Sequence, residues 1–102
     1  MKKIAFFDID GTLWDNKNFI PPSTIEAIRA FRKNGGLAFI NSGRARAYIV
    51  NPDLLGIGFD GLVCGCGTHI ELNEKILYQH LLSQDEVNYT TKIVRQNQFR
   101  PI

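Results

Sequence analysis

Two short, wholly apolar runs, Ile4-Ala5-Phe6-Phe7 and Leu37-Ala38-Phe39-Ile40, constrain the fold of this chain more than any other feature. Each stops at residues that turn the backbone, Asp8 to Gly11 after the first and Asn41-Ser42-Gly43 after the second. A run without apolar–polar alternation suits a strand buried on both faces, as in a parallel sheet. Between the runs lies a helical segment. In Pro22-Ser23-Thr24-Ile25-Glu26 the spacing of Ser23 and Glu26 is that of a capping box and predicts a helix start. Ile25, Ile28 and Phe31 keep the spacing of one helical face, with Ala27 and Ala30 beside them, and Gly35-Gly36 predicts a left-handed stop.

Further on, Arg44 to Val50 predicts a short helix, Pro52 to Gly56 another turn or helix, and Leu62-Val63-Cys64 a third strand after Asp60-Gly61. Strand, helix, strand, helix, strand is the order of an α/β fold, a parallel sheet joined by right-handed crossovers with helices packed on it. The rhythm then changes. His69 to Leu72 and Ile76 to Gln79 flank Asn73-Glu74-Lys75 and predict a hairpin. Ser83-Gln84-Asp85-Glu86 repeats the capping-box spacing and predicts a helix to about Asn97, with Val87, Ile93 and Val94 as a modest apolar stripe. A boundary after Leu82 divides the chain into 1–82 and 83–102.

With 44% hydrophobic and 22% charged residues, the 102-residue chain falls in the range of one globular domain, which excludes disordered and fibrous classes. No apolar run approaches the roughly 20 residues that span a bilayer, and the stretch after Met1-Lys2-Lys3 is too short for a signal peptide. Cys64 and Cys66 are too close together to staple distant segments, so the thiols are read as reduced and the location as cytoplasmic. The net charge of +2 is scattered, without the basic block of a nucleic-acid surface. The expectation is no nucleic-acid and no membrane partner.

Asp8 and Asp10, two apart in an extended chain, point to the same side. In an open parallel sheet the reactive crevice lies beyond the carboxyl ends of the strands, where Asp8, Asp10 and Ser42 converge. Gly11 permits a close turn whose amides can face a phosphate oxygen. Alone, Asp-x-Asp-Gly more often marks a surface turn; the four apolar residues before it and Thr12 after it set this one apart. Ser42 can donate its hydroxyl to a phosphate oxygen and Gly43 its amide at the start of the next helix. The alternative is that Ser42 caps that helix. Arg44 carries forked donors for an anionic substrate or for a structural ion pair. Cys64, Cys66 and His69 form a string that reads as packing, since zinc sites use wider Cys spacing and a fourth ligand is not evident. Trp14 and Phe19 either cover the site or pack locally.

Phe7-Asp8-Ile9-Asp10-Gly11-Thr12-Leu13 resembles the first signature of haloacid dehalogenase (HAD) superfamily phosphatases, and Phe39-Ile40-Asn41-Ser42-Gly43-Arg44 resembles the second. The interval, one loop and one helix, is similar to that of the Cof-type sugar-phosphate phosphatases, whose cap is inserted after the third strand. Cys66-Gly67 stands where that group usually has Asn-Gly, which leaves open what the Asn contributes near the substrate. The resemblance implies a HAD-like, Rossmann-type core over 1–82 and the start of an α+β cap over 83–102. It implies that Asp8 attacks phosphorus, that Asp10 serves as acid and then base, and that Mg²⁺ sits on the Asp8 carboxylate and the Asp10 main-chain carbonyl. Ser42, Gly43, Arg44 and Gly11 would hold the phosphate of a small phosphorylated metabolite. The family also uses a Lys and a later Gly-Asp acidic pair. Lys75 lies in a hairpin turn, Lys92 on the last helix, and Asp60-Gly61 has the reversed order. The core is therefore expected to be incomplete, and these residues part of a longer chain. Two rivals remain, a non-catalytic phosphate-binding module of the same fold and a phosphomutase-like phosphotransferase.

Overall fold

A computed structural model describes residues 2–97. One five-stranded sheet runs in the order β1 (Ile4–Phe7), β2 (Leu37–Asn41), β3 (Gly61–Cys64), β4 (His69–Leu72), β5 (Lys75–Gln79). The first three strands are parallel and the last two antiparallel additions. Phe7 lies opposite Ile40, and Ile40 opposite Leu62, so Asp8 and Ser42 leave the sheet at the same end.

Helices α1 (Pro22–Lys33) and α2 (Pro52–Leu55) make the two crossovers. Ile28 of α1 and Leu54 of α2 join one core with Ala38, Ile40, Leu62 and Cys64, closed near the first turn by Ile9, Leu13 and Trp14. On the opposite face Ile4 and Phe6 are 54% and 57% exposed, and the Phe6 and Phe39 rings lie 5.4 Å apart. The expectation that β1 is buried on both faces is thus corrected among the described residues. The cause is topological: strands added successively in one direction, by crossovers of one hand, place every connection on one face.

The start of α1 also differs from expectation. Ser23 does not cap it; the N-cap is Pro21 (φ −59°, ψ 139°), with no side-chain hydrogen bond, and Pro22 occupies the first turn. Pro22 has no N–H to satisfy and a φ already suited to helix, so no Ser cap is needed one residue later. The stop is as expected. Gly35 (φ +93°) donates to Arg32 O at 3.0 Å and Gly36 to Phe31 O at 2.9 Å, the two bonds of a Schellman motif.

Instead of a helix over Arg44 to Val50 there is a single 3₁₀ turn, Arg46–Tyr48. Asn51 precedes Pro52 and is held out of the helical region (φ −65°, ψ 122°), which ends the turn early. The same Asn51 caps α2, its Oδ1 accepting from the amides of Asp53 and Leu54. The β4–β5 hairpin turns on two residues, not three: Asn73 (φ 49°) and Glu74 (φ 68°) form a primed turn and Lys75 already belongs to β5. Helix α3 (Gln84–Gln96) carries the expected capping box, Glu86 N to Ser83 Oγ at 3.1 Å and Ser83 N to Glu86 Oε1 at 3.3 Å. None of its residues is buried. No described helix is long and apolar enough to cross a membrane.

Candidate active site

The site begins with the turn after β1. Ile9 is fully buried, and its carbonyl accepts from the amides of Thr12, Leu13 and Trp14 at 3.3, 3.0 and 3.3 Å. Gly11, at φ +82°, donates back to Trp14 O at 3.0 Å, a conformation that would strain a residue with a side chain. With Ile9 anchored inside, its neighbours Asp8 and Asp10 are both exposed. Alternation and the buried residue between them thus present two carboxylates at the carboxyl end of β1.

The two carboxylates have different surroundings. Among the described residues Asp8 makes no ion pair. Asp10 accepts three hydrogen bonds: Arg44 Nε to Oδ2 at 2.8 Å, Arg44 Nη2 to Oδ1 at 2.6 Å, and the Trp14 indole Nε1 to Oδ1 at 3.0 Å. The Arg44 fork and then the Trp14 N–H hold its pKa down at about 2, while Asp10 raises that of Arg44. The Arg44 guanidinium also lies over the Trp14 ring, 5.5 Å from its centroid. Of the two roles open to Arg44, the ion pair is the one formed here, with a carboxylate of the same site. Trp14 is buried at the site, whereas Phe19 is 59% exposed.

The second loop follows β2. Ser42 is buried and fixed by its amide to Val63 O at 2.8 Å. Its Oγ accepts from Arg44 N at 3.0 Å, so it braces the loop and does not cap a helix; the 3₁₀ turn has Ala45 as N-cap. Gly43 consequently lies in a loop rather than at a helix start, a correction to the expected dipole-assisted amide. The loop is buttressed by Gly65–Gly67, through Gly65 N to Arg44 O at 2.7 Å and Cys66 N to Ser42 O at 3.4 Å.

This geometry gives the side chains of Cys64, Cys66 and His69 different partners. Cys64 is fully buried, its Sγ 3.7 Å from His69 O, and burial raises its pKa. His69 Nε2 turns to Glu71 Oε1 at 2.8 Å, and Arg46 Nε meets the same oxygen at 3.0 Å. Cys66 is exposed, held at φ 54°, and a Cβ on Gly43 would lie 3.4 Å from its Sγ. The stretch corresponding to the usual Asn-Gly therefore borders the second loop, which sequence spacing alone did not disclose. Among the described residues no group of three or more His, Cys, Asp and Glu side chains is placed to hold a metal ion. For a hard cation the oxygen donors left at this turn are the Asp8 carboxylate, which makes no ion pair among the described residues, and main-chain carbonyls, the Asp10 side chain being engaged by Arg44 and Trp14. Mg²⁺ accepts such a sparse protein set because it keeps waters and takes substrate oxygens.

A family description matches residues 5–102, that of the haloacid dehalogenase-like hydrolases. The chain belongs to that family. It is 30% identical over 90 residues, 88% of this chain and 35% of the relative, to YkrA of Bacillus subtilis strain 168, a protein provisionally named a phosphatase. The HAD subclass IIB sugar phosphatase BT4131 superposes with a TM-score of 0.78 at 34% identity, covering 93% of this chain and 38% of that one. A structure from a phosphoryl-transfer superfamily, described with a trigonal-bipyramidal intermediate, gives a TM-score of 0.81 at 34% identity, over 96% and 39%. The chain thus spans well under half the length of these HAD relatives. The mixed sheet with flanking helices is the HAD Rossmann-like fold.

Proposed function

We propose that this chain supplies the nucleophile and half of the phosphate cradle of a Mg²⁺-dependent phosphomonoester hydrolase acting on sugar phosphates or similar small metabolites in the cytoplasm. The observation that carries the reading is the pair of carboxylates in unlike environments on one turn, Asp8 without an ion pair among the described residues and Asp10 held by Arg44 and Trp14. Environments that differentiate two carboxylates assign them different roles.

The Asp8 carboxylate, without an ion pair among the described residues, attacks phosphorus; the new Asp8 O–P bond forms as the P–O bond to the alcohol breaks. Asp10 gives its proton to the departing oxygen, then takes one from the water that attacks the aspartyl-phosphate, releasing inorganic phosphate and regenerating Asp8. Bound at the Asp8 carboxylate and the Asp10 carbonyl, Mg²⁺ would screen the repulsion between anionic nucleophile and anionic phosphate. Ser42, Gly43 and the turn at Gly11 hold the phosphate oxygens. The Arg44 fork favours the ionised form of Asp10, so its acid step requires that fork to loosen. An incoming phosphate supplies a competing anion for the guanidinium. Residues 83–102 are read as the beginning of a cap that selects the substrate, and the remaining phosphate-binding Lys and acidic metal ligands as contributed by sequence outside these residues.

The test is Asp8→Asn in the full-length protein, assayed on 4-nitrophenyl phosphate with Mg²⁺. The amide keeps the shape and loses the nucleophile, so turnover should fall to background with the fold intact. Wild-type rates in this variant would overturn the assignment.

A further inference from the structure

Trp14 touches both halves of the Asp10–Arg44 pair, and its geometry assigns it more than core filling. Its side chain is 5% exposed, and its backbone is tied at both polar groups, N to Ile9 O and O from Gly11 N. The indole is therefore fixed. Its N–H reaches one oxygen of Asp10, Oδ1, while its ring lies against Arg44. Arg44 is different: it sits on a long, partly exposed side chain that can leave Asp10 for another anion.

We infer that Trp14 is a positioning residue for Asp10, holding its carboxylate through Oδ1 in one orientation toward the departing oxygen. This rests on the acid–base role proposed for Asp10. An indole N–H is a donor and never an acceptor, so Trp14 holds Oδ1 and leaves Oδ2 to Arg44 Nε alone. The rotation of the carboxylate about its terminal torsion, otherwise broad, is removed before substrate arrives. The ring keeps the displaced guanidinium nearby through its π face.

Trp14→Phe keeps an aromatic ring under Arg44 and deletes the N–H. In the full-length protein the comparison is kcat/KM for a hexose 6-phosphate, whose alkoxide leaving group needs a proton, against 4-nitrophenyl phosphate, whose leaving group does not. The expected result is a loss of about 10-fold or more for the sugar phosphate, the size of one hydrogen bond to a charged group, and less than about twofold for the aryl ester. Site-specific replacement of Trp14 by its benzothienyl analogue, which exchanges N–H for sulfur in the same shape, should give the same split even if the Phe variant does not fold. Equal losses on both esters, or no loss on either, in the analogue-containing protein would overturn the inference. Failure of the wild-type protein to hydrolyse either ester would instead overturn the proposed function and the inference with it.

Discussion

Asp60 lies at the end of the sheet away from the site and joins three elements there. Its Oδ2 accepts from the buried Ala38 amide of β2 at 2.8 Å and from Arg32 Nε of α1 at 3.0 Å, and its Oδ1 from Arg32 Nη2 at 2.9 Å. Asp60→Ala leaves the buried Ala38 N–H without its acceptor. Loss of one hydrogen bond to a charged acceptor costs about 1.5–3 kcal/mol. Arg32 is about a third exposed and rehydrates, so its share is held to the ~0.2–1 kcal/mol of a solvent-screened pair. The expected destabilisation is about 2–4 kcal/mol, with Asp60→Asn intermediate. Burial alone would raise the Asp60 pKa, but the Arg32 fork and the Ala38 amide outweigh it and the net direction is down from 3.8. A lowered folded-state pKa means that this stabilisation is present above the ordinary carboxylate value and is lost as pH falls through the folded one. Urea unfolding of the full-length protein, followed by Trp14 fluorescence at pH 7 and near pH 3, should show the wild-type advantage over Asp60→Ala shrinking in acid. A difference below about 0.5 kcal/mol at pH 7, or one that grows as pH falls, would refute the reasoning.

Three further outcomes are expected. Chelation of the full-length protein should abolish ester hydrolysis and Mg²⁺ should restore it, with no zinc requirement; stoichiometric zinc lost on Cys66→Ser would contradict the packing role given to the cysteines. Asp10→Asn should lower the rate severely, since the amide offers no transferable proton, and a normal rate on a sugar phosphate would remove Asp10 from the mechanism. Residues 1–102 expressed alone should associate, because among the described residues β1 pairs only with β2 and leaves Ile4 and Phe6 exposed, and should show no Mg²⁺-dependent turnover. A stable monomer that hydrolyses a phosphate ester would refute this.

The apolar runs at Ile4 and Leu37 located two strands, and Gly35-Gly36 the Schellman stop, because buried-strand composition and a positive-φ requirement act locally. The capping box at Ser83 was legible for the same reason. The identical spacing at Ser23 misled, since Pro22, with a φ already suited to helix, starts the helix one residue earlier with Pro21 as N-cap. Exposure of Ile4 and Phe6 was not legible, because local composition does not tell which face the crossovers cover. At the site, Asp8, Asp10 and Ser42 were placed together by the rule that crevices lie beyond the carboxyl ends of parallel strands. The Arg44 fork, 34 residues from its partner Asp10, and the contact between Cys66 and Gly43 depend on loop geometry that no spacing encodes. Trp14 could have been suspected from its position four residues after Asp10, but its N–H becomes meaningful only once Gly11 turns the chain back on itself.

The central claim, that Asp8 becomes covalently phosphorylated, is tested most directly by reductive trapping. Trapping the intermediate decides the covalent step. Brief reaction with substrate, acid quench and borohydride reduction should convert the phosphorylated carboxylate to homoserine at position 8, read by peptide mass spectrometry. Homoserine at position 8 in the wild-type protein and its absence in Asp8→Asn is the predicted result. Active protein in which reduction never modifies Asp8, or modifies another carboxylate, would contradict the account.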